Sequence, residues 1–249
     1  MNVSLYQAAA AMNAQSRWQE MITENLSGGT VPGFRKQVAS FADVAAASPV
    51  NLNGVASSHF LIPVARASTS LQQGELRPSG NTTDFAIDGP GYFEVQLPNG
   101  TKAYTRDGEF QLNGQGQLTT KQGYLVLGNS GPIQFDTNNA SPPAVSPTGQ
   151  ISQNGETKGQ LRLVNFPNPD QLTRATDGSL IADQPGIQPA PAGPQTTVHQ
   201  GFLEAPNTTP TTEMSSLISA MRVFEANQKV LQTQDDRMGR AITDLSGTA

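Results

Sequence analysis

The C-terminal segment, from Glu213 to Leu245, carries the most constraining pattern in the sequence. Apolar residues recur along it at alternating steps of four and three, which is the heptad repeat of a helix that packs along one narrow seam. The seam positions are Leu217, Met221, Phe224, Gln228, Leu231, Asp235, Met238, Ile242 and Leu245. No proline follows Pro210, so the pattern predicts one helix of ~50 Å. Thr211 or Thr212 is the expected N-cap.

The N-terminal segment predicts a second helix with the same periodicity. Residues 3–27 contain neither glycine nor proline, and Gly28-Gly29 followed by Pro32 indicates where the helix ends. Its seam positions are Leu5, Ala8, Met12, Gln15, Gln19, Ile22 and Leu26. Because an isolated helix is marginally stable in water, we expect both segments to order fully only against other copies. The alternative is that each helix docks on its own domain.

Four polar residues interrupt these two seams: Gln15 and Gln19 in the first, Gln228 and Asp235 in the second. A polar residue at a seam position can fix helix register and partner number at some cost in stability. Alternatively, such positions turn toward water because the seam drifts around a straight helix. We expect the three glutamines to hydrogen-bond across an inner helical layer and Asp235 to face a wet surface.

The stretch between the two helices predicts an antiparallel β body. Apolar and polar residues alternate from Tyr92 to Leu97, and Asn99-Gly100 follows, the dipeptide that favours a type I′ hairpin turn. Further short apolar runs are separated by Asp107-Gly108, Asn113-Gly114 and Gln122-Gly123, a spacing typical of a β-meander.

The predicted fold class is therefore α+β, mainly β, with two long terminal helices packed as a coiled-coil-like pair around the β body. We expect a terminal helical domain, an extended connector and an antiparallel β domain, formed respectively by residues 1–30 with 211–249, residues 31–80, and residues 81–210. Within the connector, residues 39–66 read as weakly structured, with Phe60-Leu61-Ile62 as a candidate edge strand. Residues 136–160 read as turn-rich.

The residue inventory argues against several classes of function. The net charge is −5 and the basic residues are scattered, which does not indicate nucleic-acid binding. The absence of cysteine rules out disulfide scaffolds, thiolate metal sites and cysteine nucleophiles. His59 and His199 stand alone, and Asp84 and Asp88 are better explained by a turn with a solvated face. We therefore predict no catalytic site, metal, cofactor or small-molecule substrate, against the alternative of a polysaccharide hydrolase on a β scaffold.

The first residues do not have the composition of a cleavable secretion signal. The first cation is Arg17, and polar residues interrupt the apolar ones before it. No apolar run approaches the length of a membrane span. We expect no direct membrane insertion and, if the protein leaves the cytoplasm, an export route that needs no cleaved signal.

Four dispersed stretches, which begin at Asn25, Asp84, Tyr104 and Gln200, together resemble the flagellar rod, hook and filament-junction family. The first is similar to the family motif Asn-Leu-Ala-Asn-x-x-Thr-x-Gly-Phe-Lys/Arg and departs from it at Ser27 and Gly28; its matching residues are Asn25, Leu26, Thr30, Gly33, Phe34 and Arg35. Three further stretches resemble rod-protein motifs: Asp84 to Phe93, Tyr104-Thr105-Arg106-Asp107-Gly108, and Gln200 to Asn207 with Pro206 in place of a serine. Glu213-Met214 and Phe224-Glu225 complete the resemblance.

The resemblance implies a structural subunit of the bacterial flagellar rod, the drive shaft that crosses the periplasm and carries torque from motor to hook. It implies polymerisation with other copies and with neighbouring rod subunits in the basal body, after type III export without a cleaved signal. Met221 to Val230, with Asp235 to Ala241, favours the proximal rod subunit over the distal one. A free-standing β-rich binding module is the remaining alternative, although it would not need a seam at each terminus.

Overall fold

The structure is a computed structural model that describes residues 3–46, 60–137, 141–175, 178–183 and 186–246. The chain divides into two compact units. The helical unit comprises residues 1–27, 37–68 and 209–249, and the β unit comprises residues 28–36 and 69–208. The prediction of two terminal helices and a mainly antiparallel β body is confirmed. His59 lies outside the described residues.

Helix α1 (Val3–Gly28) ends where the sequence predicts. A turn follows, in which the amide of Val31 donates to the carbonyl of Gly28 at 3.0 Å. Gly28 has a packing reason to be glycine, because an added Cβ would lie 2.1 Å from the Phe34 ring.

Helix α2 (Pro210–Ser246) contains 37 residues and is ~55 Å long. It begins before the predicted caps Thr211 and Thr212, so that prediction is wrong. Pro210 occupies the first helical position, where a residue without an N–H loses no hydrogen bond. The amide of Glu213 donates to the carbonyl of Thr209 at 3.1 Å, and its carboxylate lies in the first turn, where the helix dipole favours a negative charge.

Two long strands complete the helical unit: β1 (Gln37–Ala46) pairs with β2 (Phe60–Thr69). The prediction of weak structure in this region is wrong for its described part, and Phe60-Leu61-Ile62 forms the start of β2. A small apolar cluster of Ala14, Trp18, Met21, Ala39 and Ala65 joins α1 to both strands.

The described residues of the β unit form short strands and one 3₁₀ turn (Pro169–Gln171). Its strands are β3 (Leu76–Pro78), β4 (Phe85–Asp88), β5 (Tyr92–Gln96), β6 (Lys102–Thr105), β7 (Phe110–Leu112), β8 (Leu118–Thr120), β9 (Leu125–Gly128), β10 (Gly131–Pro132), β11 (Pro143–Val145), β12 (Gln150–Gln153), β13 (Glu156–Gln160), β14 (Leu163–Asn165), β15 (Thr173–Arg174), β16 (Leu180–Ile181), β17 (Ala190–Pro191), β18 (Thr197–Gln200) and β19 (Phe202–Glu204).

The largest sheet of the β unit has the main order β15-β16-β6-β5-β9-β8-β7, and its strand pairs are antiparallel. Three phenylalanines centre the core beneath it: the Phe93 and Phe110 rings meet edge to face at 5.1 Å, and Phe85 lies 5.8 Å from Phe110. The pairs β18-β4 and β19-β3 connect the last strands of the unit to its first.

The hairpin turns differ from the prediction in one instructive place. Asn99 keeps a negative φ, so the predicted type I′ turn at Asn99-Gly100 is wrong. Instead, the amide of Gly100 donates to the carbonyl of Leu97, and Gly100 at φ 83° forms the adjoining bulge. The type I′ turn occurs at Asn154-Gly155, with φ values of 54° and 82°, between β12 and β13. Residues 136–160, predicted to be turn-rich, contain the three-stranded sheet β11-β12-β13.

We predict that Gly108→Ala destabilises the β unit by about 2–4 kcal/mol, because a main-chain clash in a packed core cannot relax cheaply. A Cβ at Gly108 would lie 1.6 Å from the carbonyl oxygen of Phe85. Gly114→Ala is the matched control, since its Cβ would meet no atom within 4 Å. Urea denaturation followed by circular dichroism measures both, and equal stability of the two variants would contradict the packing described here.

Candidate functional site

Helix α1 presents two buried stripes to its surroundings. Along the predicted seam, Gln15 and Ile22 are buried, and half-buried residues continue the line at Ala8, Met12, Gln19 and Leu26. The second stripe, Ala14, Trp18 and Met21, packs on β1 and β2. The Nε2 of Gln15 donates to the carbonyl of Ala220 on α2 at 3.0 Å. Gln15 therefore connects the two terminal helices. The remaining predicted seam residue of this helix, Leu5, lies outside the residues whose side chains are described.

Helix α2 turns only part of its predicted seam inward within the single chain. Leu217, Phe224 and Leu231 are half-buried. The next seam positions along the same helix are exposed, namely Met221, Gln228, Asp235 and Met238. The inward line instead continues through residues one position earlier, namely Ala220, Asn227 and Gln234. The side chains of Ile242 and Leu245 lie outside the described part of the structure.

Large apolar side chains remain in solvent along α2. Met221 and Val230 are 51% and 56% exposed, and the other exposed apolar residues of this helix are Met214, Ile218, Val223 and Met238. Met214, Ile218 and Met221 recur at steps of four and three and so share one face of α2, whereas Val223 and Val230 lie on the opposite face. Exposed apolar side chains that share a face typically mark a surface that another protein covers. The seam residues' part in such contacts stays a prediction.

The first family-like motif has a structural role in each of the two units. In the helical unit, Asn25 exchanges two hydrogen bonds with the backbone of Gln37, at 2.7 and 2.8 Å, and so ties the end of α1 to the start of β1. In the β unit, Gly33 adopts φ 68° and its Cα packs so tightly on the main chain of Arg106 that a Cβ would lie 2.3 Å away. Phe34 is buried beneath the guanidinium of Arg174, whose Cζ lies 4.6 Å from the ring centroid.

Three of the family-like motifs meet at one buried carboxylate in the β unit. Glu204 accepts from Arg35 through one oxygen and from Arg106 through the other, both at 3.0 Å. The side chains of these three residues are 1–7% exposed. The Glu204 oxygen that faces Arg35 also accepts from the amide of Gly74 at 3.0 Å. We call these four groups the Glu204 cluster.

Backbone contacts around the Glu204 cluster hold the same segments together. The amide of Gly33 donates to the Glu204 carbonyl at 2.7 Å, and the amide of Ser70 donates to the Lys36 carbonyl at 2.8 Å. Asn207 bridges the segments further: its Oδ1 accepts from the Lys36 amide, and its Nδ2 donates to the carbonyl of Gln72. The segments by which the chain enters and leaves the β unit therefore lie side by side.

Burial sets the electrostatics of the Glu204 cluster. Desolvation lowers the pKa of Arg106, and the neighbouring Glu204 carboxylate opposes that shift. Arg106 also stacks over Tyr92 at 5.5 Å, and burial raises the pKa of the Tyr92 phenol. Arg106 further donates to the carbonyls of Ile87 and Gly89, at 3.1 and 2.5 Å. The terminal nitrogens of Arg106 are thus held by the Glu204 carboxylate and by two main-chain carbonyls.

The residues considered for catalysis do not gather into a site within the described chain. Asp84 is buried and accepts from Asn81 at 3.1 Å, which corrects its assignment to a solvated face; Asp88 is exposed as expected. The His199 ring lies 3.9 Å from Asp88. Among the described residues, no three His, Asp or Glu side chains are placed to hold a metal ion. No described helix has the length and apolarity needed to cross a membrane.

Sequence comparisons identify the family. Residues 86–153 match the family described as flagellar hook protein FlgE/F/G D1 domain, and residues 199–244 match the flagellar basal body rod FlgEFG protein C-terminal family. A flagellar basal-body rod protein FlgG of Borreliella burgdorferi is 32% identical, over 96% of this chain and 97% of its own length. This chain belongs to the flagellar rod and hook protein family. A rod protein FlgF of Mesorhizobium japonicum is also 32% identical, over 98% of each chain, so identity alone does not separate the two subunit types.

We predict that Glu204→Gln destabilises the β unit by about 3–5 kcal/mol, because two buried guanidinium groups lose their shared counter-charge. The matched control is Glu75→Gln, which removes the carboxylate of the exposed Arg77–Glu75 pair and should change stability little. Urea denaturation of both variants provides the measurement. A loss for Glu204→Gln no larger than for the control would show that the cluster contributes little net stability.

A second prediction concerns Asp107, a half-buried carboxyl whose pKa is raised from 3.8 to about 6, chiefly by burial. Because the folded state holds this proton more tightly than the unfolded chain, the contribution to stability is fully present below pH 3.8 and is lost as pH rises through about 6. Asp107→Asn should remove this loss and stabilise the protein at pH 7 by on the order of 2–3 kcal/mol. Urea denaturation between pH 4 and 7 tests it, with the exposed Asp88→Asn as control. Parallel pH profiles for wild type and Asp107→Asn would contradict it.

Proposed function

We propose that this protein is a structural subunit of the flagellar rod and that it polymerises through its two terminal helices. The observation that carries the proposal is the exposure of Met214, Ile218 and Met221, which recur at steps of four and three and so share one face of α2 that includes a predicted seam position. A single chain leaves this surface in water, and burial of each such side chain is worth ~1.5–3 kcal/mol. Because the chain belongs to the flagellar rod and hook protein family, we take the flagellar rod as the assembly in which this surface is buried.

We assign the copy-to-copy contacts to the predicted seam, give Gln15, Gln19 and Gln228 a register role, and expect Asp235 to face a wet surface. Gln228 is exposed in the single chain, so it remains available for contacts with neighbouring subunits. Other copies of this chain and adjacent rod subunits are the proposed partners. The proposed location is the periplasmic rod of the basal body, reached by type III export without a cleaved signal, where the subunit would transmit torque from motor to hook.

Within the rod, we favour the proximal position, that of FlgF. The alignment with the Mesorhizobium japonicum FlgF spans 248 positions and covers 98% of each chain, so the two chains are nearly colinear. The alignment with the Borreliella burgdorferi FlgG spans 264 positions, more than the 249 residues of this chain, and therefore requires insertions in the relative. The distal position is the alternative. Imaging of basal bodies that carry a labelled subunit decides between them, since the label marks either the motor side or the hook side of the rod.

We predict that Leu231→Asp abolishes assembly while the β unit still folds, because it places an unpaired charge at a seam position where helices meet. Gln232→Asp is the matched control, since this neighbouring side chain is exposed on the same turn of α2. Swimming assays and imaging of basal bodies measure assembly, and circular dichroism monitors the fold. Intact rods and normal swimming with Leu231→Asp would place this residue outside the assembly contacts and overturn the proposal.

A further inference from the structure

The Glu204 cluster contains more buried positive charge than negative charge among the described residues. Arg35 and Arg106 share the single carboxylate of Glu204, and all three side chains are more than nine-tenths buried. A buried ion pair is tolerated when each charge is compensated, whereas an uncompensated buried charge costs several kcal/mol. The cluster therefore has one guanidinium charge in excess.

The same two arginines have a donor without an acceptor. The Nε–H groups of Arg35 and Arg106 are buried and have no hydrogen-bond partner within the described part of the chain. Their other nitrogens are engaged by Glu204 and by the carbonyls of Leu71, Ile87 and Gly89. A buried donor without an acceptor is rare in native proteins, and a bound water or ion is one of its physical explanations.

Both arginines line a cavity of about 40 Å³ in the β unit. A cavity needs ~10–15 Å³ of volume accessible to the centre of a water molecule to hold one water, so this cavity has room for a small ion or for one carboxylate group. Its lining includes Thr105, Tyr124 and Arg174. Asp107 also lines it, but the Oδ1 of Asp107 accepts from the amide of Glu109, and its charged neighbours are Glu109, Lys121 and Asp84. Asp107 is therefore not the counter-charge of the two arginines.

A second buried carboxylate in the same unit is also paired with two cations, and it offers a comparison for the Glu204 cluster. Glu94 also pairs with two cations, Lys102 at 2.8 Å and Arg162 at 2.9 Å. Those cations are 50% and 40% exposed, so water solvates the excess charge. The guanidinium groups of Arg35 and Arg106 lack that access to solvent, which leaves the cavity as the place for a compensating charge.

We propose that this cavity is a binding site for one carboxylate group, held by the buried guanidinium groups of Arg35 and Arg106. Guanidinium groups bind carboxylates in a planar, charge-assisted geometry that suits a small site of this kind. The ligand balances the excess positive charge and accepts from the free Nε–H groups. Two sources share this chemistry: a small free acid, or an Asp or Glu side chain of another protein that enters through the mouth of the cavity.

The test titrates sodium formate into the full-length ¹⁵N-labelled wild-type chain and follows the arginine Nε–H resonances. The proposal expects the resonances of Arg35 and Arg106 to shift saturably, while that of the exposed Arg77 does not. Formate should also protect the fold, shifting the folding equilibrium about 100-fold at a concentration one hundred times Kd. No shift at Arg35 and Arg106 overturns the proposal. Sodium chloride at matched ionic strength is the control, and an equal response to chloride overturns the assignment to a carboxylate.

Arg35→Gln tests the origin of binding, because it leaves Arg106 and Glu204 as a balanced pair. This variant should lose the formate response, whereas Arg77→Gln, at an exposed arginine of the same unit, should keep it. An unchanged response in Arg35→Gln overturns the role given to excess charge. If that variant does not fold, the wild-type titration alone decides. N-acetylglutamate amide separates the two sources: its binding supports a side chain from a neighbouring protein, and binding of formate alone supports a small free acid.

Discussion

The β unit depends on the buried carboxylate of Glu204. The free-energy cost of removing this carboxylate from water is offset only when the donors from several chain segments are in place together. Arg35 and Arg106 each donate to it at 3.0 Å, and the amide of Gly74 completes its shell. These groups come from segments that are distant in sequence. Arg106, for example, lies 98 positions before Glu204 in the chain. Since a half-satisfied buried ion is worse than none, the cluster disfavours arrangements in which any one segment is displaced. The hydrogen bonds of Asn207 and Gly33 add backbone register to this selection.

The parts of the fold that follow local rules could be predicted from the sequence, and the exceptions have identifiable causes. Both helices were evident because periodic apolar residues and glycine or proline stops act within a few turns. The prediction of a type I′ turn at Asn99-Gly100 was wrong because Pro98 precedes this dipeptide. Proline fixes a negative φ at the second position of the turn from Leu97 to Gly100 and so favours a type I turn. Asn154-Gly155 lacks such a proline and forms the type I′ turn. A dipeptide rule is therefore overridden by the residue beside it.

The candidate site was less predictable, for two different physical reasons. The apolar repeat of α2 follows the line through Met221, whereas the line that is buried within the single chain runs through Ala220, so the repeat alone does not show which line faces the rest of the chain. The choice depends on contacts such as the one from Gln15 to Ala220, which involve the other end of the chain. Glu204 gave no spacing signal at all, because a single acidic residue in a strand looks the same whether it is solvated or buried. Only the family-like motifs marked it, and they carry no information on which residues touch.

The lengths of the two helices explain how α2 can pack within its own chain and still have surface left for contacts with another subunit. Helix α1 has 26 residues and α2 has 37, which makes them ~39 and ~55 Å long. Whatever their register, α1 is too short to cover α2 along its whole length. In agreement, every position from Asp235 to Arg240 is exposed, although Met238 continues the apolar repeat through this stretch. Near Ala220, α2 packs within its own unit, whereas beyond Gln234 the described apolar side chain of Met238 is 37% exposed. Because only part of α2 is buried within its own chain, the rest of the helix can be buried by contact with another copy. This division of α2 supports the proposed polymerisation through the terminal helices.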